Sequence, residues 1–494
     1  MSEGENSKTI AYRSIFKATS LFGGVQAYKI LIGIINAKFV AVLLGPAGMG
    51  IQGLYQSAIQ LIQSFSSLGL SQSAVRDVSE ASGSGDTKQI GLTVSVIKRL
   101  VWITGLLGLV LTAVFSPVLS RVTFGNYDYT IPFIFLSVIL LLDQLSAGQI
   151  VVLQGMRKLK SLAKSTSIGS TIGLIVSVPL YYFFGVKGVV PTLILNSLTM
   201  LALTCYFAKK VEVEKKHVTN REMLQHGKSM MKMGIAMSVN TILVTSVSYL
   251  LRGFIRYEGG TEQVGLFAAG YLLVNSSVSM VFHALSTDYY PRLSMVNHDN
   301  EKCRQIINQQ GEMAILIIAP IIVLCMILMP FIVKIIYSDK FSPATDYINW
   351  AILGLMFRAF SWVIAYCFLA KAESKLYIIN ETIKNIYALV FGVAGYHFYG
   401  LAGVGAAFVL TNLFYSIQVL LIAKRRYGFF LDSSYKKILS VLFVIIIASF
   451  ALVLSCQYDY MYIPLAVLFV CCSVYSLMEL NRRMDIMKML FRRS

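Results

Sequence analysis

The sequence predicts an all-α polytopic membrane protein: 14 transmembrane helices, arranged as two six-helix bundles related by a pseudo-two-fold axis plus two extra C-terminal helices. Three observations carry this. The 494 residues are 56% hydrophobic and only 14% charged, with a mean hydropathy of +0.68, too little charge to clothe a water-soluble protein of that length. The basic residues collect in alternate loops. The two halves repeat one plan at a constant shift.

A crossing helix needs roughly 20 mainly apolar residues, and its backbone groups must be bonded within the segment, which selects helices. The alternation of a membrane β-barrel is absent. Apolar runs predict spans at 16–44, 47–76, 91–118, 129–155, 164–184, 187–208, 230–256, 263–290, 311–337, 344–370, 376–398, 400–423, 437–456 and 460–480. The polar start, MSEGENSKT, has no signal-peptide pattern, so the first span is expected to serve as its own insertion signal.

The loops fix the expected orientation. Of 43 Lys and Arg, 33 fall in the termini and the even-numbered loops, among them Arg157, Lys158 and Lys160, the cluster at 209–232 and the tail from Arg482 onward. The odd-numbered loops hold only Arg121, Lys187, Arg256, Lys334 and Lys340. Basic residues stay on the cytoplasmic side of a bilayer, so both termini are expected there. Anionic membrane lipid at that face accounts for the net charge of +19 without any nucleic acid. The cysteines at 205, 303, 325, 367, 456, 471 and 472 have neither metal nor disulfide spacing and read as small apolar residues. No metal and no cofactor is expected.

YYFFGVKGVV (181–190) and YHFYGLAGVG (396–405) expose the repeat. At the same shift of 215, Gly45 meets Gly260, Gly50 meets Gly265, Gly185 meets Gly400, Gly188 meets Gly403, Lys160 meets Lys375 and Lys209 meets Lys424. The expected division is an N-terminal bundle at 1–208, a cytoplasmic linker at 209–232, a C-terminal bundle at 233–424, and helices 13–14 with a basic tail at 425–494. An even number of helices per repeat sets the symmetry axis along the membrane normal, with a cavity between the halves. In the tail, Leu480, Met484, Met487 and Phe491 share a helical face, which reads as a short helix on the cytoplasmic surface or equally as a frayed end.

Five basic residues lie inside spans: Lys29, Lys38, Arg252, Arg358 and Lys384. A Lys or Arg at mid-depth costs about 2.5–3.5 kcal/mol on insertion scales, so five facing lipid would cost on the order of 12–18 kcal/mol. They must face water, a counter-charge or a ligand. Lys38 and Arg252 sit nearer the outer side, where snorkelling competes as an explanation. Lys29, Arg358 and Lys384 are deeper, and their competing explanation is an ion pair with Asp143 or Glu381. At the repeat shift Arg358 meets Asp143, so each bundle carries one charge at that depth. One carboxylate cannot neutralise three deep cations, which leaves at least one for an anionic ligand. Gln52, Gln56, Gln60 and Gln63 share one helical face, as do Asn275, Ser279, His283 and Ser286. Such rows suit sugar hydroxyls, or else hydrogen bonds between helices.

No enzyme is predicted. HGKS (226–229) resembles the end of a P-loop, but Glu222 stands where that motif needs Gly. HExxH and GxSxG are absent, and acidic residues within spans are few and scattered. Transport must then draw on an ion gradient, H+ or Na+, or on downhill flux of substrate. Asp143 is the coupling candidate and also the candidate for a structural pair.

AVLLGPAGMGIQGLYQS (41–57) and GLSQSAVRDVSE (69–80) resemble the first two helices of polysaccharide-biosynthesis flippases. QVGLFAAGYLLVNSSVSMVFHALSTDYYPRLS (263–294) resembles their helix-8 signature. IIYSDKFSPATDYINWAILG (335–354) and FLAKAESKLYIINE (368–381) are similar to the Wzx-type O-antigen and lipid-linked oligosaccharide flippases of the MOP superfamily, relatives of the MATE exporters and MurJ lipid II flippases. The similarity runs from about residue 10 to 430 and rests on the order and spacing of several stretches, none diagnostic alone. The resemblance implies a protein of the bacterial inner membrane that turns an undecaprenyl-diphosphate-linked oligosaccharide from the cytoplasmic to the periplasmic leaflet by alternating access. It implies that cavity Arg and Lys serve the diphosphate, a role falling by depth and charge on Lys29, Lys38, Arg252, Arg358 and Lys384, with Gln56, Gln60 and Asn275 on the glycan. A polymerase or export complex is an expected partner. The alternative is a MATE-type antiporter of drugs or organic cations, which needs an acidic cavity where these charges are mostly basic. A membrane glycosyltransferase would need a larger extramembrane loop with carboxylates than the basic stretch at 209–232.

Overall fold

The computed structural model describes the backbone of residues 3–484 except 85, 212, 214–217, 372 and 456–457. The tail helix expected around Met487 and Phe491 lies outside the described residues. Among those described there is no strand. The helices are α1 (Glu3–Ser66), α2 (Leu70–Ser84), α3 (Thr87–Val114), α4 (Ser116–Phe124), α5 (Thr130–Gly155), α6 (Leu159–Phe184), α7 (Val189–Lys209), α8 (Asn220–Met295), α9 (Asn300–Ile336), α10 (Ala344–Ala370), α11 (Ser374–Tyr427), α12 (Ser433–Ser455) and α13 (Tyr458–Met484). The chain is a multi-pass membrane protein: among the described residues, 10 helical stretches are long and apolar enough to cross a bilayer.

Four of those stretches are far longer than one crossing requires: Gly24–Ser66 has 43 residues, Leu159–Lys209 has 51, Ser238–His283 has 46 and Ser374–Tyr427 has 54. One crossing takes roughly 20 residues. Each long stretch is broken at a glycine of positive φ: Gly45, Gly185, Gly260 and Gly400. The break at Gly400 reverses the chain. Gly395 and Gly403 would stand about 12 Å apart along a straight helix, yet a Cβ on Gly403 would sit inside the Gly395 carbonyl. Gly188 closes against the Leu180 carbonyl in the same way, at the same shift of 215.

Polar caps set where two further helices begin. Asp86 caps α3, its carboxylate accepting from Lys88 N at 2.9 Å and Gln89 N at 3.4 Å. Asp299 caps α9, accepting from Glu301 N and Lys302 N at 3.0 Å each. The Lys302 backbone N–H holds the Asp299 carboxyl below the usual carboxylate range.

The chain divides into two compact units, Met1–Tyr257 and Glu258–Ser494. In the first, Leu70, Val78, Ile97, Leu100, Val152 and Met230 form a buried cluster joining α2, α3, α5 and the start of α8. Polar clasps hold the α8 segment to the same unit: Ser64 to Thr245 at 3.0 Å, Thr123 to Tyr249 at 2.7 Å, and the Arg252 guanidinium to the Gly53 carbonyl at 3.1 Å.

In the second unit α10 is the most enclosed span, packed between α9 and α11. Helices α12 and α13 dock on α9. Asn308 of α9 donates to the Phe430 carbonyl at 3.2 Å and accepts from Asp432 N at 3.1 Å. Arg304 bonds Asp432 at 2.6 Å and stacks 3.9 Å from the Phe430 ring. At the far end of α13, Arg483 reaches Glu312 of α9 at 2.8 Å. These contacts hold α12 and α13 against α9.

Candidate functional site

Among the described residues, the deep cations lie at two places, one in each unit. In the second unit the site is built on α8, α10 and α11. Asn275 donates from its amide nitrogen to the Tyr271 carbonyl one turn back, at 3.0 Å. That bond fixes the amide and turns its oxygen outward, where it accepts from Arg358 Nη1 at 2.8 Å. The guanidinium carbon also lies 5.4 Å from the Phe282 ring, a cation–π contact. Among the described residues no carboxylate is within ion-pair distance of Arg358.

Lys384 stands on the first arm of α11; the second arm ties it to the surroundings of Arg358, because Ser416, next to Tyr415, donates to the carbonyl of Phe357, next to Arg358, at 3.0 Å. Its ammonium is 3.6 Å from the Glu381 carboxylate and 4.6 Å from the Tyr415 ring centre. Tyr415, on the second arm, donates to the other Glu381 oxygen at 2.5 Å. The ion pair foreseen as a competing explanation is therefore present for Lys384 and absent for Arg358. The cluster holds two cations and one carboxylate.

The first unit has a cavity of about 280 Å³ between α1, α6 and α7, lined by Lys29 and Asn36 of α1, Gly169, Ser170 and Ser177 of α6 and Asn196 of α7. Ser177 donates to the Gly173 carbonyl at 2.6 Å, so its oxygen accepts from the Asn196 amide nitrogen at 3.3 Å. Lys29 makes no hydrogen bond or ion pair with any described residue. Asp143 on α5 faces Ser197 of α7, next to Asn196, and enters no ion pair among the described residues. At the repeat shift, Lys384 stands where the first unit has Gly169, and Tyr415 where it has Met200. One repeat leaves a space at this position and brings an ammonium to it from α1; the other fills it with its own lysine.

The structure thus brings Arg358, Asn275 and Lys384 together and sets Lys29 in a polar cavity. It does not bring the remaining candidates into either cluster. Lys38 is exposed on its unit, Gln56 is half-buried, Gln60 is exposed, and Arg252 is used in the bond to Gly53. Asn36, Ser177, Asn196 and Tyr415 were not singled out from the sequence. The signal for Asn196 is a lone amide in the apolar run LILNSLTM; Tyr415 carries no signal by itself.

Residues 39–346 match the family model described as polysaccharide biosynthesis protein. The chain is 19% identical over 410 residues to the lipid III flippase of Escherichia coli (strain K12), covering 81% of this chain and 96% of that protein. Among solved structures it is similar to an inward-facing multidrug resistance MATE family transporter of the MOP superfamily, with a TM-score of 0.71, 16% identity and coverage of 83% of this chain and 96% of that one. It is similar too to the lipid II flippase MurJ in an inward closed conformation, with a TM-score of 0.66, 16% identity and coverage of 94% and 99%. At such identities the structural likeness shows the fold, that of the MOP superfamily transporters. With more than half of its length matched by the family model, the chain belongs to the polysaccharide biosynthesis protein family.

Proposed function

We propose that the protein is a flippase of the bacterial inner membrane. It turns an undecaprenyl-diphosphate-linked oligosaccharide, an O-antigen or polysaccharide repeat unit, from the cytoplasmic to the periplasmic leaflet by alternating access coupled to an ion gradient. The four helices broken at Gly45, Gly185, Gly260 and Gly400 each cross the membrane twice in this reading, which makes fourteen spans, twelve of them in two repeats of six, with both termini cytoplasmic.

The observation that carries the reading is Arg358: a guanidinium in the most enclosed span, oriented by the neutral Asn275 rather than by a carboxylate, with Lys384 nearby. A diphosphate is a dianion that hydrocarbon excludes. Two cations, of which only Lys384 has a carboxylate beside it among the described residues, leave a net positive charge for the dianion, and Arg presents a planar fork suited to phosphate oxygens. The same cluster repels an organic cation, which counts against an antiporter. Lys29 with its amide and hydroxyl wall serves the substrate in the first unit, and Asp143, without an ion-pair partner among the described residues, is the coupling group. The lipid III flippase among its relatives supports the substrate class.

The test is a strain that depends on this protein for its surface glycan. Arg358→Gln and Lys29→Met, each at wild-type membrane abundance, are expected to abolish the glycan and leave lipid-linked units on the cytoplasmic side. Normal glycan in both strains overturns the assignment.

A further inference from the structure

From the geometry around Lys384 we infer that Glu381 is a resident counter-anion: it holds the Lys384 ammonium in place between substrates and weakens the grip on a bound diphosphate enough for release. This rests on the flippase reading above and gives roles to Glu381, which that reading counts only as a charge, and to Tyr415, which it does not use.

The pair is built to be incomplete. Charge-assisted N–H···O bonds run about 2.7–2.9 Å, whereas Lys384 Nζ stands 3.6 Å from its Glu381 oxygen. At that separation the carboxylate restrains the ammonium mainly by charge, the Tyr415 ring 4.6 Å away is a second contact, and N–H donors remain for a ligand. The Lys384 side chain is 33% exposed, against 10% for Glu381. The lysine side chain is thus the more open member of the pair and the carboxylate the more sheltered one.

The carboxylate cannot follow. Tyr415 donates to it at 2.5 Å from the opposite arm of α11, and Lys384 lies one turn along on the same arm as Glu381. An arriving phosphate takes the lysine donors, and Glu381 remains fixed behind them, a like charge to the guest. A carrier must bind firmly enough to load and loosely enough to unload, the condition that governs conducting sites. Arg358, with no carboxylate beside it among the described residues, supplies the firm hold. Lys384, shared with Glu381, supplies the loose one. Glu381 is accordingly a positioning residue that acts through Lys384.

The experiment uses the full-length protein in nanodiscs with two probes, a polyprenyl diphosphate in the bilayer and inorganic pyrophosphate in solution. Glu381→Gln keeps an oxygen that accepts from Tyr415 and removes the charge. It is expected to bind both probes about tenfold more tightly, equivalent to ~1.4 kcal/mol, to release them more slowly, and to flip the lipid more slowly in proteoliposomes. In a Lys384→Gln background the same change gains nothing. A purely structural role for Glu381 would lower affinity and flux together, and that outcome overturns the inference, as does an equal gain with and without Lys384. Should E381Q fail to elute as a folded species, Tyr415→Phe tests the same point in the opposite direction. It frees the carboxylate to close on Lys384, so affinity falls; unchanged or tighter binding overturns the inference. The two readings fail separately. A wild-type protein that binds pyrophosphate and moves no lipid refutes the flippase and leaves Glu381 its role, whereas one that binds neither probe refutes both.

Discussion

Gly45 and Gly260 stand 215 residues apart and share one backbone conformation, φ/ψ of 68°/−174° and 80°/178°. Gly185 and Gly400 form a second such couple, at 54°/−134° and 58°/−139°. The repeat therefore extends below residue identity to individual torsion angles. The first couple lies in a region essentially closed to residues with a Cβ.

Substituting either member of that couple isolates backbone strain, because a Cβ at Gly45 or Gly260 would meet nothing within 4 Å. Gly45→Ala and Gly260→Ala are each expected to cost about 1–3 kcal/mol and to lower the thermal unfolding midpoint of the detergent-solubilised protein. Gly253→Ala, equally open in space but in ordinary helical backbone, is the control and leaves the midpoint unchanged or higher. Equal midpoints for all three would show that the bends carry no strain.

Asn275 should matter to transport through Arg358. Asn275→Ala removes the acceptor that aims the guanidinium; a hydrogen bond to a charged group is worth about 1.5–3 kcal/mol. Lipid flux is expected to fall roughly tenfold or more at constant protein level. Arg358→Lys keeps the charge and loses the planar fork, so it should rescue flux only in part relative to Arg358→Gln. Full activity in R358K would mean that charge alone suffices.

The cavity beside Lys29 can be narrowed by adding a side chain to its wall. Gly33 lines it, and a Cβ there meets nothing within 4 Å. Gly33→Leu is expected to leave the unfolding midpoint equal or slightly higher while cutting glycan export. Undiminished export from a strain carrying G33L removes the first-unit cavity from the substrate path.

Asn308 tests how the last two helices are held. Asn308→Ala removes the side chain that joins Asp432 N and the Phe430 carbonyl to α9, a loss of about 0.5–1.5 kcal/mol for each hydrogen bond. A lower unfolding midpoint is expected, and an unchanged one would show that water replaces the amide at no cost.

Apolar runs were enough to read an all-helical, multi-pass membrane protein, because membrane crossing marks the sequence over long distances; the constant shift paired the glycines, but that the chain bends at them showed only in their torsion angles. Arg358 and Lys384 stood out for a similar reason, since a charge in hydrocarbon demands an explanation wherever its neighbours lie. Their neighbours did not stand out. Asn275 showed as one member of a polar row, but that it aims Arg358 depends on which residues of α8 and α10 meet. The cavity around Lys29 is assembled from glycines, serines and amides scattered over α1, α6 and α7, residue types that occur throughout apolar helices for packing alone. Tyr415 reads as one aromatic among many until the fold-back at Gly400 lays its arm against that of Glu381.

That fold-back also has a mechanical meaning. A hairpin closed on one residue, with Gly395 and Gly403 in backbone contact, has no loop to stretch or fray. Tyr415 and Glu381 act as a rivet further along the two arms. A hairpin clamped at its bend and again along its length behaves as a stiff lever. Lys384 is therefore carried by both arms together, tied to the second one through Glu381 and Tyr415.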